Sequence, residues 1–236
     1  MTGTAKSKAL AKPEKPPTKS KTVKKKGSPR REQQRAIDTR LTILKAALSE
    51  FAEKGYDGAS IRNIANRTGL QHPLITYHFR TKEVLWRSVA EHVFFEIRTL
   101  RDISAPVDSK LPPRDFVREE YRMLFRFMVE YRDFHKFMLR ESRPNNPRLT
   151  WLTQTFLAPL VARTLPKIRM AQEVGDLPPG DPVLINYMLI GITSVLSSLG
   201  PEIHELSGID TDDPAVIDAY WAVLDATVFG RKVYPR

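Results

Sequence analysis

The sequence predicts an all-α fold in two unequal parts, a small three-helix unit near the N-terminus followed by a larger helical domain. Three observations predict it. From about Thr39 to the end, apolar residues recur at three- and four-residue spacing, the period of an amphipathic helix. Helix punctuation recurs along the chain, with Ser60, Asp181 and Asp213 as N-caps and Gly55 and Gly69 as stops. At 236 residues and 41% hydrophobic, the chain can bury the core of one large domain or two modest ones.

Composition narrows the function classes. There is no cysteine, which excludes a disulfide framework, a thiolate metal site and nucleophilic-cysteine chemistry, and suits a reducing, cytoplasmic compartment. Of the formal charge of +11, nearly all sits in residues 1–35, where nine lysines and three arginines face only Glu14 and Glu32. That segment, with Pro13, Pro16, Pro17 and Pro29 and few large apolar side chains, cannot offset its ordering entropy by burial and is expected to be disordered. It reads either as a solubilising extension or as a polyvalent arm on phosphates, and a DNA-binding module beside it favours the second. No apolar run follows the charges, so no signal peptide is expected.

The first helix lies in "DTRLTILKAALSEFAEKGYDGAS". Ile43, Ala47 and Phe51 recur every four residues with Leu44 and Leu48 beside them, Asp38 or Thr39 caps the start, and Gly55 supplies the left-handed end. In the second helix, from Ser60, Ile61, Ile64, Ala65 and Thr68 share one face, and Gly69 permits a sharp turn. Leu70 anchors the turn, and Pro73 fits the first turn of a third, short helix, where its missing N–H breaks no ladder bond. The pair is a helix-turn-helix. Its second helix is short enough for a major groove about 12 Å wide. Ile75 and Phe79 hold it from within, while Gln71, His72, Pro73, Leu74, Thr76 and Tyr77 face outward.

Residues 42–86, "TILKAALSEFAEKGYDGASIRNIANRTGLQHPLITYHFRTKEVLW", resemble the N-terminal DNA-binding region of the TetR (tetracycline-repressor) family of bacterial regulators. The matching features are Ile43-Leu44, Ala46-Ala47, Phe51, Gly55-Tyr56, Ser60, Ile64-Ala65, Gly69-Leu70, Tyr77-His78-Phe79, and Lys82-Glu83 before Leu85. The resemblance implies that Arg62 reaches a base or the backbone and that His72, Pro73 and Tyr77 face the groove. It also implies that Lys82 holds a phosphate at the start of a helix capped by Thr81; a helix N-terminus with a lysine beside it attracts anions in any case. Arg40, Ser60, Gln71, Leu74, Thr76 and His78 complete the candidate DNA-binding set. His78 reads either as a phosphate ligand or as a histidine that ties the unit together. The sequence departs from the family at Thr76, where a tyrosine is usual, and at Gln71, where a small cap is common.

Helix 4 carries an apolar stripe of Val84, Leu85, Val89, His92, Val93 and Ile97 and stops among the prolines before 113, linking the first domain, 36–83, to the second, 84–236. "RDFVREEYRMLFRFMVEYRDFHKFML" reads as one long helix apolar on several faces. "WLTQTFLAPLVARTLPKIRMAQEV" reads as a helix bent near Pro159 or Pro166. "DPVLINYMLIGITSVLSSLGP" runs from Asp181 to Gly200-Pro201; Asn186, its hydroxyls and the lack of flanking basic residues argue for a buried helix rather than a membrane span. The last helix starts at Asp213-Pro214 and turns Ile217, Tyr220, Trp221, Leu224 and Val228 inward.

Gly191, Ser194 and Ser198 form a small-residue stripe that lets another helix approach. With Tyr220, Trp221, Leu224 and Val228 they are the candidate dimer interface, two helices from each of two subunits. A twofold dimer would set two recognition helices roughly 34–36 Å apart on a pseudopalindromic duplex. The family's effector cavity falls in the Met- and aromatic-rich interior, with His92, Phe95, Leu124, Met128, Phe156, Tyr187 and Ile190 as candidate ligand residues. One of Arg114, Arg118, Arg122 and Arg126 turned inward could bind an acidic group. No catalytic motif, metal-ligand spacing or cofactor loop is present, so no enzyme, metal or cofactor is expected.

The reading is a cytoplasmic, nucleoid-associated regulator. Its expected partners are double-stranded DNA, a small lipophilic effector and a second copy of itself, with no membrane. The resemblance implies a repressor released from its operator by the effector. The alternatives are a sequence-indifferent architectural DNA-binding protein dominated by the tail, or an α-helical lipid carrier or enzyme.

Overall fold

The computed structural model describes residues 1–3 and 29–230. Most of the basic tail therefore lies outside the described residues. The helices are α1 Pro29–Gly58, α2 Ile61–Thr68, α3 His72–Phe79, α4 Lys82–Ser104, α5 Pro113–Glu130, α6 Arg132–Glu141, α7 Pro147–Leu152, α8 Ala158–Glu173, α9 Pro182–Thr193, α10 Val195–Ser207 and α11 Pro214–Val228. Among the described residues there is no strand.

α1 packs on α2, α4 and α6, and α5 packs on α8 and α9. One core runs from Ile43, Phe51, Ile64, Ile75 and Phe79 through Trp86 and Val89 on α4 to Phe127, Phe134 and Phe137, so the three-helix unit and the larger domain share apolar packing. Trp86 is its pivot, with Tyr56, Phe137 and Trp151 rings around it. A second core gathers Val117 and Tyr121 with Ile168, Leu189 and Leu224.

Three expectations about element limits and one about burial are corrected. α1 begins at Pro29, not at Asp38 or Thr39, because residues 30–36 are strong helix formers and Gln34 Nε2 donates to Asp38 Oδ1 at 2.9 Å one turn on. The long helix breaks at Tyr131 (φ −107°, ψ 61°), where Arg132 swings out to donate to the Leu196 and Thr211 carbonyls. The helix from Asp181 bends by 44° at Ser194 and runs past Gly200-Pro201 to Gly208, which takes the left-handed conformation (φ 71°). Gly200 is helical; a Cβ there would lie 2.5 Å from Thr211 Oγ1, so it admits the following loop rather than ending a helix. Val84 is exposed and His92 half-buried, whereas Leu85, Val89, Val93 and Ile97 of the α4 stripe, with Trp86, Ala90 and Phe94, are buried.

Pro159 and Pro166 behave differently from one another. The turn before Pro159 widens to a π-helix over Thr153–Leu157, which absorbs the missing N–H, and Pro166 stays inside α8. No single described helix is long and apolar enough to cross a membrane.

Candidate nucleic-acid interface and the cavity behind it

The helix-turn-helix is built by local chemistry. Ser60 Oγ accepts from the Asn63 N–H at 3.1 Å and starts α2, and Gly69 (φ 66°) closes it with its N–H on the Asn66 carbonyl. Thr68 Oγ1 accepts from the Leu70 N–H at 3.3 Å, which holds the turn. On α3, Ile75 and Phe79 are buried, while Gln71, His72, Pro73 and Leu74 are exposed. Tyr77 is 80% exposed, a large ring held out in solvent by a rigid helix. Thr76 spends its hydroxyl on the Pro73 carbonyl at 3.0 Å, and Gln71 makes no capping bond, so the two departures noted in the sequence are visible in the geometry. His78 is half-buried with its ring near both Tyr77 and Phe79.

The cations divide into two kinds. Arg62 is exposed on α2. Arg40 lies over the Phe79 ring at 4.5 Å and donates to Ser88 Oγ, which braces α1 against α3 and α4. The Lys82 ammonium donates to the Asp57 and Ala59 carbonyls at 3.3 and 3.2 Å and sits 4.7 Å from the Tyr56 ring centre. It neutralises the end of α1 and ties α4 to it, so most of its donors are committed within the protein. Thr81 caps α4 as expected, accepting from Val84 N at 3.1 Å.

Glu50 was not singled out in the sequence, yet it orients the whole motif. Only 1% exposed, its carboxylate accepts from Asn63 Nδ2 and Arg67 Nε at 3.0 Å each and from Ser60 N at 3.4 Å. Arg67 also pairs with Glu53 at 2.6 Å and holds that carboxyl below its ordinary range. A glutamate inside "ALSEFAEKG" gives no local sign that its partners stand on the next helix. Glu50→Ala is expected to cost about 2–3 kcal/mol, because it orphans charge-assisted bonds at a buried helix junction; urea unfolding followed by circular dichroism measures this, and a loss below about 0.5 kcal/mol would refute the role.

Behind the motif lies a cavity of about 300 Å³ between α4, α5, α6, α8 and α9. Leu124, Met128, Tyr187 and Ile190 line it as expected. His92, Phe95 and Phe156 do not. Phe95 points outward and is mostly exposed; the adjacent Phe94 takes the inward position, and Phe156 stacks behind it at 4.6 Å. His92 is half-buried elsewhere on α4, its pKa lowered by burial. The break at Tyr131 turns α6 so that Phe134, His135 and Met138 join the wall.

No member of the arginine column lines the cavity; Arg118 instead pairs with Asp225 on α11 at 2.5 and 2.8 Å. The cation in the wall is Arg101 of α4, whose Nη2 donates to Glu120 Oε1 at 2.8 Å and to Thr164 Oγ1 at 2.6 Å, and whose Nη1 donates to the Leu160 carbonyl. Thr164 donates in turn to Glu120 Oε2 at 2.6 Å.

The expected dimer residues mostly face their own subunit. Tyr220 and Trp221 stack on Phe125, Tyr220 Oη donates to the Ile192 carbonyl at 2.6 Å, and Leu224 is 6% exposed within the second core. Val228 and Ser198 are half-buried, and Ser194 is buried at the α9–α10 bend with its hydroxyl on the Gly191 carbonyl. Of that set Gly191 stays open to solvent. The large residues of α11 turn inward, which leaves Ala215, Ala219, Ala222, Val223 and Ala226 outward, beside the exposed Leu184, Tyr187 and Met188 of α9.

Residues 43–89 match the family described as bacterial regulatory proteins, tetR family. The tetracycline repressor protein class A from transposon 1721 of Escherichia coli is 32% identical over 108 residues, 46% of this chain and 48% of that one. The HTH-type transcriptional repressor Rv3405c of Mycobacterium tuberculosis is 41% identical over 66 residues, 28% of this chain and 35% of that one. The chain thus spans half or less of the length of these curated relatives. In three dimensions it superposes on AibR, solved in complex with isovaleryl coenzyme A and operator DNA, with a TM-score of 0.60 at 15% identity, over 82% of this chain and 99% of that one.

Proposed function

We propose, from the match of residues 43–89 to the tetR family of bacterial regulatory proteins, that the whole chain is a ligand-responsive transcriptional regulator, a cytoplasmic homodimer that represses from a pseudopalindromic operator. The observation that carries this reading is α3: its core side is sealed by Ile75 and Phe79, while Tyr77, Leu74 and His72 are exposed among the described residues. The AibR fold, which holds a ligand and an operator together, is consistent with it.

The coupling route in this reading is α6. One side of α6 lines the cavity through Phe134, His135 and Met138. The other is fastened to α1, where Ser49 Oγ donates to Asp133 Oδ2 at 2.5 Å and Arg140 donates to the Ala52 and Glu53 carbonyls. A ligand that fits better with α6 displaced therefore pulls on α1, and through Glu50 on the motif. A differential affinity of about 1–3 kcal/mol between the two arrangements lowers operator affinity roughly 5- to 150-fold.

The test is selection of bound fragments from genomic DNA with the purified protein, followed by titration of the selected site. Tyr77→Ala should weaken that site by about 1–3 kcal/mol, roughly 5- to 150-fold, with little change on random DNA. A protein lacking residues 1–33 should keep its site preference and lose part of its salt dependence. Loss of all preference on removing the tail would instead support the architectural DNA-binding alternative.

A further inference from the structure

The chemistry of the cavity wall narrows what it can hold. Its lining is dominated by Phe94, Met123, Met128, Phe134, Met138 and Ile190. The charges among the lining residues are Arg101 and Glu120, and they cancel one another through direct bonds while Thr164 takes up a further donor and acceptor. His135 makes no compensating cation, because burial drives its pKa down and keeps the ring neutral. An anionic ligand would lose its hydration and meet no free positive charge.

One polar group in the wall is not satisfied. Asn186 is 4% exposed, and Tyr121 Oη donates to its Oδ1 at 2.7 Å, which fixes the amide. That leaves Nδ2, two N–H donors, buried and without a hydrogen-bond partner among the described residues. Buried donors are rarely left so, since each unmade bond costs the desolvation of the group.

We propose that the ligand is an uncharged, largely apolar molecule carrying a carbonyl-type acceptor oxygen, which takes up the Asn186 amide donors. This rests on the regulator reading only in calling the ligand an effector. The volume of about 300 Å³ is at the small end of ligand sites, which suits a compact ketone, ester or lactone.

The test uses three probes of one skeleton on the full-length protein by titration calorimetry near pH 7.5: butyrophenone, butylbenzene and 4-phenylbutyrate. Butyrophenone should bind at least tenfold tighter than either other probe. Asn186→Leu should erase the ketone-over-hydrocarbon preference, leaving a ratio near one. Should that variant fold poorly by circular dichroism, Tyr121→Phe serves in its place: it keeps the amide but frees its orientation, and should lower the ratio several-fold. Equal binding of ketone and hydrocarbon, a preference for the carboxylate, no binding of any probe at millimolar concentration, or an unchanged ratio in the variants would each overturn the proposal. Site-specific DNA binding without ketone preference sinks this inference alone. Ketone preference without site-specific DNA binding sinks the regulator reading alone.

Discussion

A glutamate at Val223, combined with one at Ala222, should yield a folded monomer whose affinity for a pseudopalindromic operator is at least about a thousandfold weaker than that of the unaltered protein. Val223 is 67% exposed and Leu184 on α9, which shares the second core with α11, is 69% exposed; Tyr187, Met188 and the outward alanines of α11 are exposed as well. An apolar patch of this kind on small, closely approachable helices is what a helix-to-helix dimer seam needs. Two carboxylates on each subunit, four at the twofold seam, would have to be desolvated against one another, and the dimer would give way before the fold does, since both positions face solvent and glutamate is a good helix former. A single recognition helix then works alone. Specific complexes at about 10⁻⁸–10⁻¹¹ M fall toward the non-specific range of about 10⁻⁴–10⁻⁶ M when half the contacts are lost. Light scattering reads the oligomeric state and fluorescence anisotropy reads the affinity. Leu224→Glu is the contrasting control: one residue further on but buried in its own subunit, it should unfold the second core rather than split a dimer. A doubly substituted protein that stays dimeric would rule out this face as the seam.

The three-helix unit was legible because local chemistry decides it. Ser60, Gly69, Pro73 and Thr81 act within a turn of where they stand, and the apolar spacing of Ile43, Phe51, Ile64 and Ile75 needs only one helical face to be read correctly. The reading weakened where distant partners decide. Tyr131 breaks a continuous helical pattern because Arg132 finds acceptors near positions 196 and 211. Gly200-Pro201 reads as a helix stop, yet Gly200 answers to Thr211 and the helix continues. Glu50 carries no sign of its burial, since its partners are 10 to 17 residues away on another helix. At the cavity the difference is one of phase: Phe94 and Phe95 differ by about 100° around α4, and the resemblance that points to this region does not say which of them faces inward. On α11 size points to an interface in the sequence, but it marks the intramolecular core there, and the alanines face solvent.

Removing the carboxylate of Glu120 should cost more stability than any other single polar truncation in the larger domain. Glu120→Ala leaves the Arg101 guanidinium buried with only the Thr164 hydroxyl and the Leu160 carbonyl, and an uncompensated buried charge of this kind costs about 3–5 kcal/mol. For a chain of this size that lowers the Tm by roughly 6–20 °C, at about 2–4 °C per kcal/mol. The pair Arg101→Met with Glu120→Leu should recover most of the loss, because two apolar side chains of similar volume replace both charges, Thr164 finds a new partner, and Arg163, 3.3 Å from Glu120, keeps Asp102 and the Ala105 carbonyl. Thermal unfolding by circular dichroism of Arg101→Met, Glu120→Leu and the double variant gives the cycle, and a double variant no more stable than Glu120→Leu would refute a charge-based cause. The same variant bears on ligand choice. In Glu120→Ala the wall of the cavity holds an unpaired cation, so 4-phenylbutyrate should gain on butyrophenone relative to the unaltered protein. If the carboxylate gains nothing, the Arg101–Glu120 pair is not what keeps anions out, and the neutrality of the ligand would have to come from the apolar wall alone.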